Sequence, residues 1–135
     1  MADLVVVAAN VKPGSDAVTK TGVAGEAISA GDSVFKATDG EIELAEHDLL
    51  AVDAAAIGVA LNDAAPLQPI TFIIRGNVDM GAILAVGQTY IVGAGAGGIA
   101  PEADAGVGDF VTVLGVAISI NDLKIGILQS GVAHG

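Results

Sequence analysis

Two stretches of the chain repeat each other. Shifted by about 56 residues, Gly25-Glu-Ala-Ile28-Ser-Ala-Gly31-Asp-Ser-Val34-Phe35 falls on Gly81-Ala-Ile-Leu84-Ala-Val-Gly87-Gln-Thr-Tyr90-Ile91. With one residue added to the shift, Glu41-Ile42 falls on Gly98-Ile99, and Ala56-Ile-Gly58-Val-Ala-Leu61 on Val113-Leu-Gly115-Val-Ala-Ile118. Each copy closes on another apolar strand ending in glycine, Ile70 to Gly76 in the first and Leu123 to Gly131 in the second. A long period present only twice does not make a solenoid, because stacked repeats need three or more copies to bury their faces. Two copies must pack on each other. The expected fold class is therefore all-β: a compact β-sandwich or barrel built from two related β units, about 23–77 and 78–131, within one domain of 23–135. An extended N-terminal arm, residues 1–22, precedes it.

Composition agrees with short strands and many turns. Of 135 residues, 53% are hydrophobic and 19 are glycine, while Trp is absent and the apolar mass comes from aliphatic side chains. The chain is one domain long. It carries 16 acidic residues against 5 basic ones, a net charge of -11, which repels DNA, RNA and anionic lipid; no nucleic-acid or membrane partner is expected. With no cysteine, disulfide scaffolds, thiolate metal sites and cysteine nucleophiles are excluded together.

The start, Met1-Ala-Asp-Leu4, has an acid where an export signal carries Lys or Arg, so no signal is read there. Met80 to Ala100 is uncharged and long enough to span a bilayer as a helix, but it holds six glycines and places Gln88 and Thr89 near its middle. Its counterpart in the first copy carries Asp32, Lys36, Asp39, Glu41 and Glu43, which cannot cross a bilayer. Both stretches are expected to be strand pairs with glycine turns.

The clearest local element is Val34 to Thr38, then Asp39-Gly40, then Glu41 to Ala45. Asp-Gly between alternating strands predicts a two-residue type I′ turn, with Thr38 facing Glu41, Ala37 facing Ile42, Lys36 facing Glu43 and Phe35 facing Leu44. Phe35, Ala37, Ile42 and Leu44 then share the core face. Asn121-Asp122 predicts a second tight turn. The strand before it, Phe110 to Ile120, is apolar on both sides and should lie centrally in the sheet or set one face against a partner chain.

Reactive chemistry finds little support. Gly93 to Gly98 matches the glycine spacing of a dinucleotide loop, yet Ile99-Ala100-Pro101 follows where a helix must open. Glu41, Glu43, Glu46, His47 and Asp48 could ligate a divalent ion, but their spacing is not that of a calcium loop and no second histidine lies near. No serine sits in a Gly-x-Ser-x-Gly elbow. No catalytic, cofactor-binding or metal-binding residue is assigned, and the chain is not read as an enzyme. The competing readings are a fibre base or adhesin that meets a host glycan through Gly93 to Gly98, and a small metal-dependent enzyme built on Glu41 to Asp48.

Several segments resemble small virion proteins of tailed bacteriophages, the head decoration or cement proteins. They are Asn10-Val11, Thr21-Gly22-Val-Ala-Gly25, Ile28 to Phe35, Ile57-Gly-Val-Ala-Leu61, Gly87-Gln-Thr-Tyr90-Ile-Val92, Gly97-Gly-Ile-Ala-Pro101, Asp109 to Ala117 and Leu123-Lys-Ile-Gly-Ile127. The resemblance spans nearly the whole chain and rests on turns and strands, not on reacting groups. It implies a β-rich homotrimer on the outer capsid surface of the virion, bridging neighbouring copies of the major capsid protein, with no cofactor. The arm is the expected clamp. Leu4, Val5, Val6 and Val7 have high β propensity and, with Val11, are the candidate capsid or trimer contacts, able to add a strand to a neighbouring sheet edge; the alternative is an edge strand on the arm's own domain.

Overall fold

A computed structural model describes residues 6–7, 10–37, 40–45, 56–93, 97–101 and 110–133. The chain is all-β, and the described residues contain no α-helix. Among the described residues ten strands follow in order: β1 (Lys12–Pro13), β2 (Val18–Val23), β3 (Ser33–Lys36), β4 (Ile42–Leu44), β5 (Gly58–Ala60), β6 (Pro69–Asp79), β7 (Thr89–Val92), β8 (Ile99–Pro101), β9 (Phe110–Ala117) and β10 (Asp122–Ala133). They form one antiparallel sheet, ordered β4-β3-β5-β6-β10-β9-β7-β8, that curls into a half-barrel.

That order is the same series of strands twice, run inward from each end to the β6–β10 pair. The registers repeat as well. Val34 pairs with Leu44 and Val34 with Gly58 in the first unit, where Tyr90 pairs with Pro101 and Tyr90 with Gly115 in the second. The offsets are those of the sequence repeat, one residue larger after the first hairpin. One turn hydrogen bond follows suit, Gly31 N–H donating to Ala60 O at 2.8 Å and Gly87 N–H to Ala117 O at 2.8 Å; another is displaced by one residue, Ile28 N–H donating to Ala64 O at 2.9 Å and Leu84 N–H to Ile120 O at 3.0 Å.

Each unit buries the same set of positions. Ala24, Ile28, Val34, Ile42 and Ala60 cluster in the first with Phe72, the strand partner of Ala60, and their counterparts Met80, Leu84, Tyr90, Ile99 and Ala117 are all buried in the second, as is Leu123, the strand partner of Ala117. The second set merges with Val11, Phe35, Val59, Ile73, Val78 and Ile125 into the larger core. The uncharged run from Met80 supplies β7 and β8, paired antiparallel, as strands and not a spanning helix. Among the described residues no helix is long and apolar enough to cross a membrane. The strand β9, apolar on both sides, lies between β10 and β7, inside the sheet as expected.

Two expectations are corrected. In the first hairpin Lys36 stands opposite Ile42 and Phe35 opposite Glu43, one residue away from the predicted register. The connection is a three-residue loop, 38–40: Ala37 N–H donates to Glu41 O at 2.8 Å, and Gly40 takes the left-handed backbone, φ 89°. Thr38 and Asp39 lie outside the described residues. The predicted single core face accordingly splits, with Phe35 and Ala37 in the larger core and Ile42 and Leu44 beside Val34 in the smaller one. The second tight turn centres earlier than Asn121-Asp122, because Ile118 N–H donates to Asp122 O at 3.0 Å and the Ser119 hydroxyl accepts from the N–H groups of Asn121 and Asp122. From residue 12 on the arm joins the sheet of its own domain, since β1 and β2 both pair antiparallel with β6.

Candidate functional surface

The N-terminal valines divide between core and solvent. Val11 is buried in the larger core, Val6 is half-buried against it, and Val7 is 52% exposed. Leu4 and Val5 lie outside the described residues. Val6 and Val11 both sit on the turn at Gly31: a Cβ added there would strike Val6 and lie 3.1 Å from Val11 Cγ2. Of the predicted contacts, Val6 and Val11 therefore cover the protein's own first unit, and Val7 is left facing outward.

The carboxylates near that turn hold backbone. The Asp32 carboxylate accepts from Ser29 N–H at 2.8 Å, Asp63 from Ala30 N–H at 2.9 Å, and Glu26 from Leu44 N–H at 3.0 Å. These bonds tie the turn before β3 to the β5–β6 loop and to β4, across the fold. Burial pushes the Asp32 carboxyl above its ordinary range; the Ser29 N–H opposes that, and the charges of Asp63 and Glu26 add to it. Glu41 and Glu43 share one side, both beside Gly25, whereas Glu46, His47 and Asp48 lie outside the described residues. Among the described residues no group of three or more His, Asp or Glu side chains is placed to hold a metal ion.

The glycine loop between β7 and β8 is a hairpin connection, closed by Gly93 N–H donating to Gly98 O at 2.8 Å and followed by a strand, not by a helix that could face a pyrophosphate. Gly97 packs beside Asp32 and Leu44 of the first unit, and the Ser33 hydroxyl donates to Gly98 O at 2.8 Å. This loop stitches the two units together.

What remains at the surface is aliphatic. Val86, Val116, Ile118 and Ile120 are 66%, 41%, 49% and 54% exposed. They gather at one end of the second unit, because Gly87 N–H bonds Ala117 O and Leu84 N–H bonds Ile120 O. These positions are absent from the sequence-predicted contacts, although the two-sided apolar character of Phe110 to Ile120 is their signal. A shallow groove lies between β2 and the first hairpin, flanked by Lys20 and Lys36 over Ile42, Ile57 and Phe72; it gathers two of the 5 basic residues of the chain. Comparison with models of known protein families and with curated proteins gave no match.

Proposed function

We propose that this chain is a structural virion protein, not an enzyme, that assembles as a homotrimer on the outer surface of a bacteriophage capsid and stabilises the shell by bridging major capsid subunits. The observation that carries the reading is the exposed aliphatic end of the second unit, Val86, Val116, Ile118 and Ile120, on a folded and strongly acidic all-β protein. Exposed apolar surface of this kind marks a contact with another protein. The segments that resemble decoration proteins point the same way. A shell pressed outward by packaged DNA gains resistance when many small proteins each bury surface across subunit boundaries. The net charge of -11 keeps free copies apart and away from nucleic acid, so assembly relies on apolar contact and is favoured by salt.

The test mixes purified protein with shells that lack it and measures co-sedimentation and heat resistance together. Saturable binding with a raised disruption temperature is the expected result; no binding over a range of salt overturns the reading. Truncation must respect the fold. Removing residues 2–12 takes away buried Val11 and part of β1, whereas removing 2–5 leaves every described residue in place.

A further inference from the structure

The two units present the same turn in two different states. Gly31 and Gly87 occupy equivalent positions, with φ of 93° and 81°, and each donates to the carbonyl of an equivalent alanine, Ala60 or Ala117. Around Gly31 the surface is covered: Val6 and Val11 lie on the glycine, Ala30 is 6% exposed, Val59 is 0% exposed, and Leu61 is packed against the core. The counterparts of those three residues are Val86, Val116 and Ile118, all exposed, at 66%, 41% and 49%. A Cβ added at Gly87 meets nothing within 4 Å. The second unit thus keeps an aliphatic pad of the kind that the first unit covers with valines.

We infer that this pad, Val86-Gly87 with Val116 and Ile118, is the docking site for the N-terminal valine run of a second copy of the same chain, which seats Val7 on it. The first unit shows what fits such a turn: branched aliphatic side chains of the N-terminal segment. Within the protomer Val86, Val116 and Ile118 stay exposed, and Val6 and Val11 are already seated at home on Gly31. Val7 follows Val6 directly and is 52% exposed. Val6 is half-buried against the home core while Val7, whose carbonyl accepts from Asn10 N–H at the turn that follows, stays exposed, so one run can seat Val6 at home and offer Val7 to a neighbour. Charge favours the same occupant. Two copies at -11 each repel, and contact is least opposed where both sides are uncharged, as Val7 and the pad are.

The two sides of this contact differ, one being the first unit with its valine run and the other the second unit's pad. It is a head-to-tail interface, and repeated by rotation it closes a ring. The inference rests on the self-association part of the proposed function and is independent of capsid binding.

The chain has no cysteine, so introduced thiols report without background. Val7→Cys and Val86→Cys are placed in separate chains, mixed and oxidised. A disulfide between the two variants should form on the order of tenfold or more faster than between Val7→Cys and Leu67→Cys, which lies 77% exposed and outside the pad. In parallel, Val86→Lys should reduce the mass in sedimentation to that of a single chain, with an unchanged circular dichroism spectrum and, at dilutions where wild type is also a single chain, an unchanged melting temperature. Three results overturn the inference: a wild-type protein of single-chain mass, an unchanged mass for Val86→Lys, or Val86→Cys chains that couple to each other faster than to Val7→Cys. The capsid reading fails separately. Single chains that bind shells sink only the docking inference, and a cross-linked ring that does not bind shells sinks only the capsid reading.

Discussion

Gly58 and Gly115 stand at the same place in the two units, and at each the next strand comes so close that a Cβ would fall on a backbone carbonyl, that of Ile73 on β6 or of Lys124 on β10. Neither carbonyl is the movable end of a side chain. The pairing of β5 with β6, and of β9 with β10, is close because these two residues have no side chain.

Gly58→Ala and Gly115→Ala should therefore destabilise by similar amounts, about 1–3 kcal/mol each, as strands are forced apart. Gly126→Ala on β10 is the control. An added methyl there meets nothing within 4 Å, and replacing a strand glycine stabilises by roughly 0.5–1 kcal/mol. Urea unfolding of the three variants checks the comparison; a Gly115→Ala protein as stable as wild type would contradict the equivalence of the two sites.

Tyr90 fills the place of Val34 in the second unit, with 2% of its surface exposed, and its hydroxyl accepts the N–H of Ala85 at 2.8 Å. Tyr90→Phe keeps the ring and removes the acceptor, leaving the Ala85 N–H to find water at the turn. A loss of about 1–2 kcal/mol in urea unfolding is expected, with an unchanged dependence on urea concentration.

How much of this was legible beforehand follows from what each residue pattern specifies. The glycines at 31, 58, 87 and 115 fixed the repeat, because turns and close strand approaches tolerate little else, and the paired registers keep the offsets read from them. The first hairpin was displaced by one residue because Asp-Gly is compatible with a two-residue or a three-residue loop. Only the observed bond from Ala37 N–H to Glu41 O selects the latter. The single core face failed at Val34-Phe35, where adjacent residues are both apolar and both faces are buried, so alternation carries no side information. Val116 and Ile118 lie in a stretch whose two-sided apolar character allows either a central strand or a face against a partner, and alternation does not choose between them; their exposure, with that of Val86, becomes informative beside their covered counterparts Ala30, Val59 and Leu61.

Val11 and Val7 should respond differently to the same truncation. Val11 is 6% exposed and belongs to the core, so Val11→Ala removes buried methyl groups beside Gly31 and should cost about 1–3 kcal/mol. Val7→Ala, at an exposed position, should stay within roughly 0.5 kcal/mol of wild type in dilute single chains. Thermal melting at low protein concentration separates the two.

Asp32 should make the fold less stable as pH rises from the acid range toward neutrality. Burial raises its folded-state carboxyl above the ordinary value of 3.8, with Asp63 and Glu26 adding to the shift against the Ser29 N–H. Between that value and the raised one, the folded chain holds a proton that the unfolded chain has released. Unfolding then releases protons, and stability falls with increasing pH across that window. Asp32→Asn removes the titration, and its amide oxygen can still accept from Ser29 N–H, the bond that the carboxylate makes at 2.8 Å. The stability of Asp32→Asn relative to wild type should therefore increase as pH climbs above 3.8 and level off once wild-type Asp32 is ionised in both states. Urea unfolding of both proteins over that range gives the difference directly, and a gap that narrows with rising pH would reverse the assignment of burial as the dominant cause.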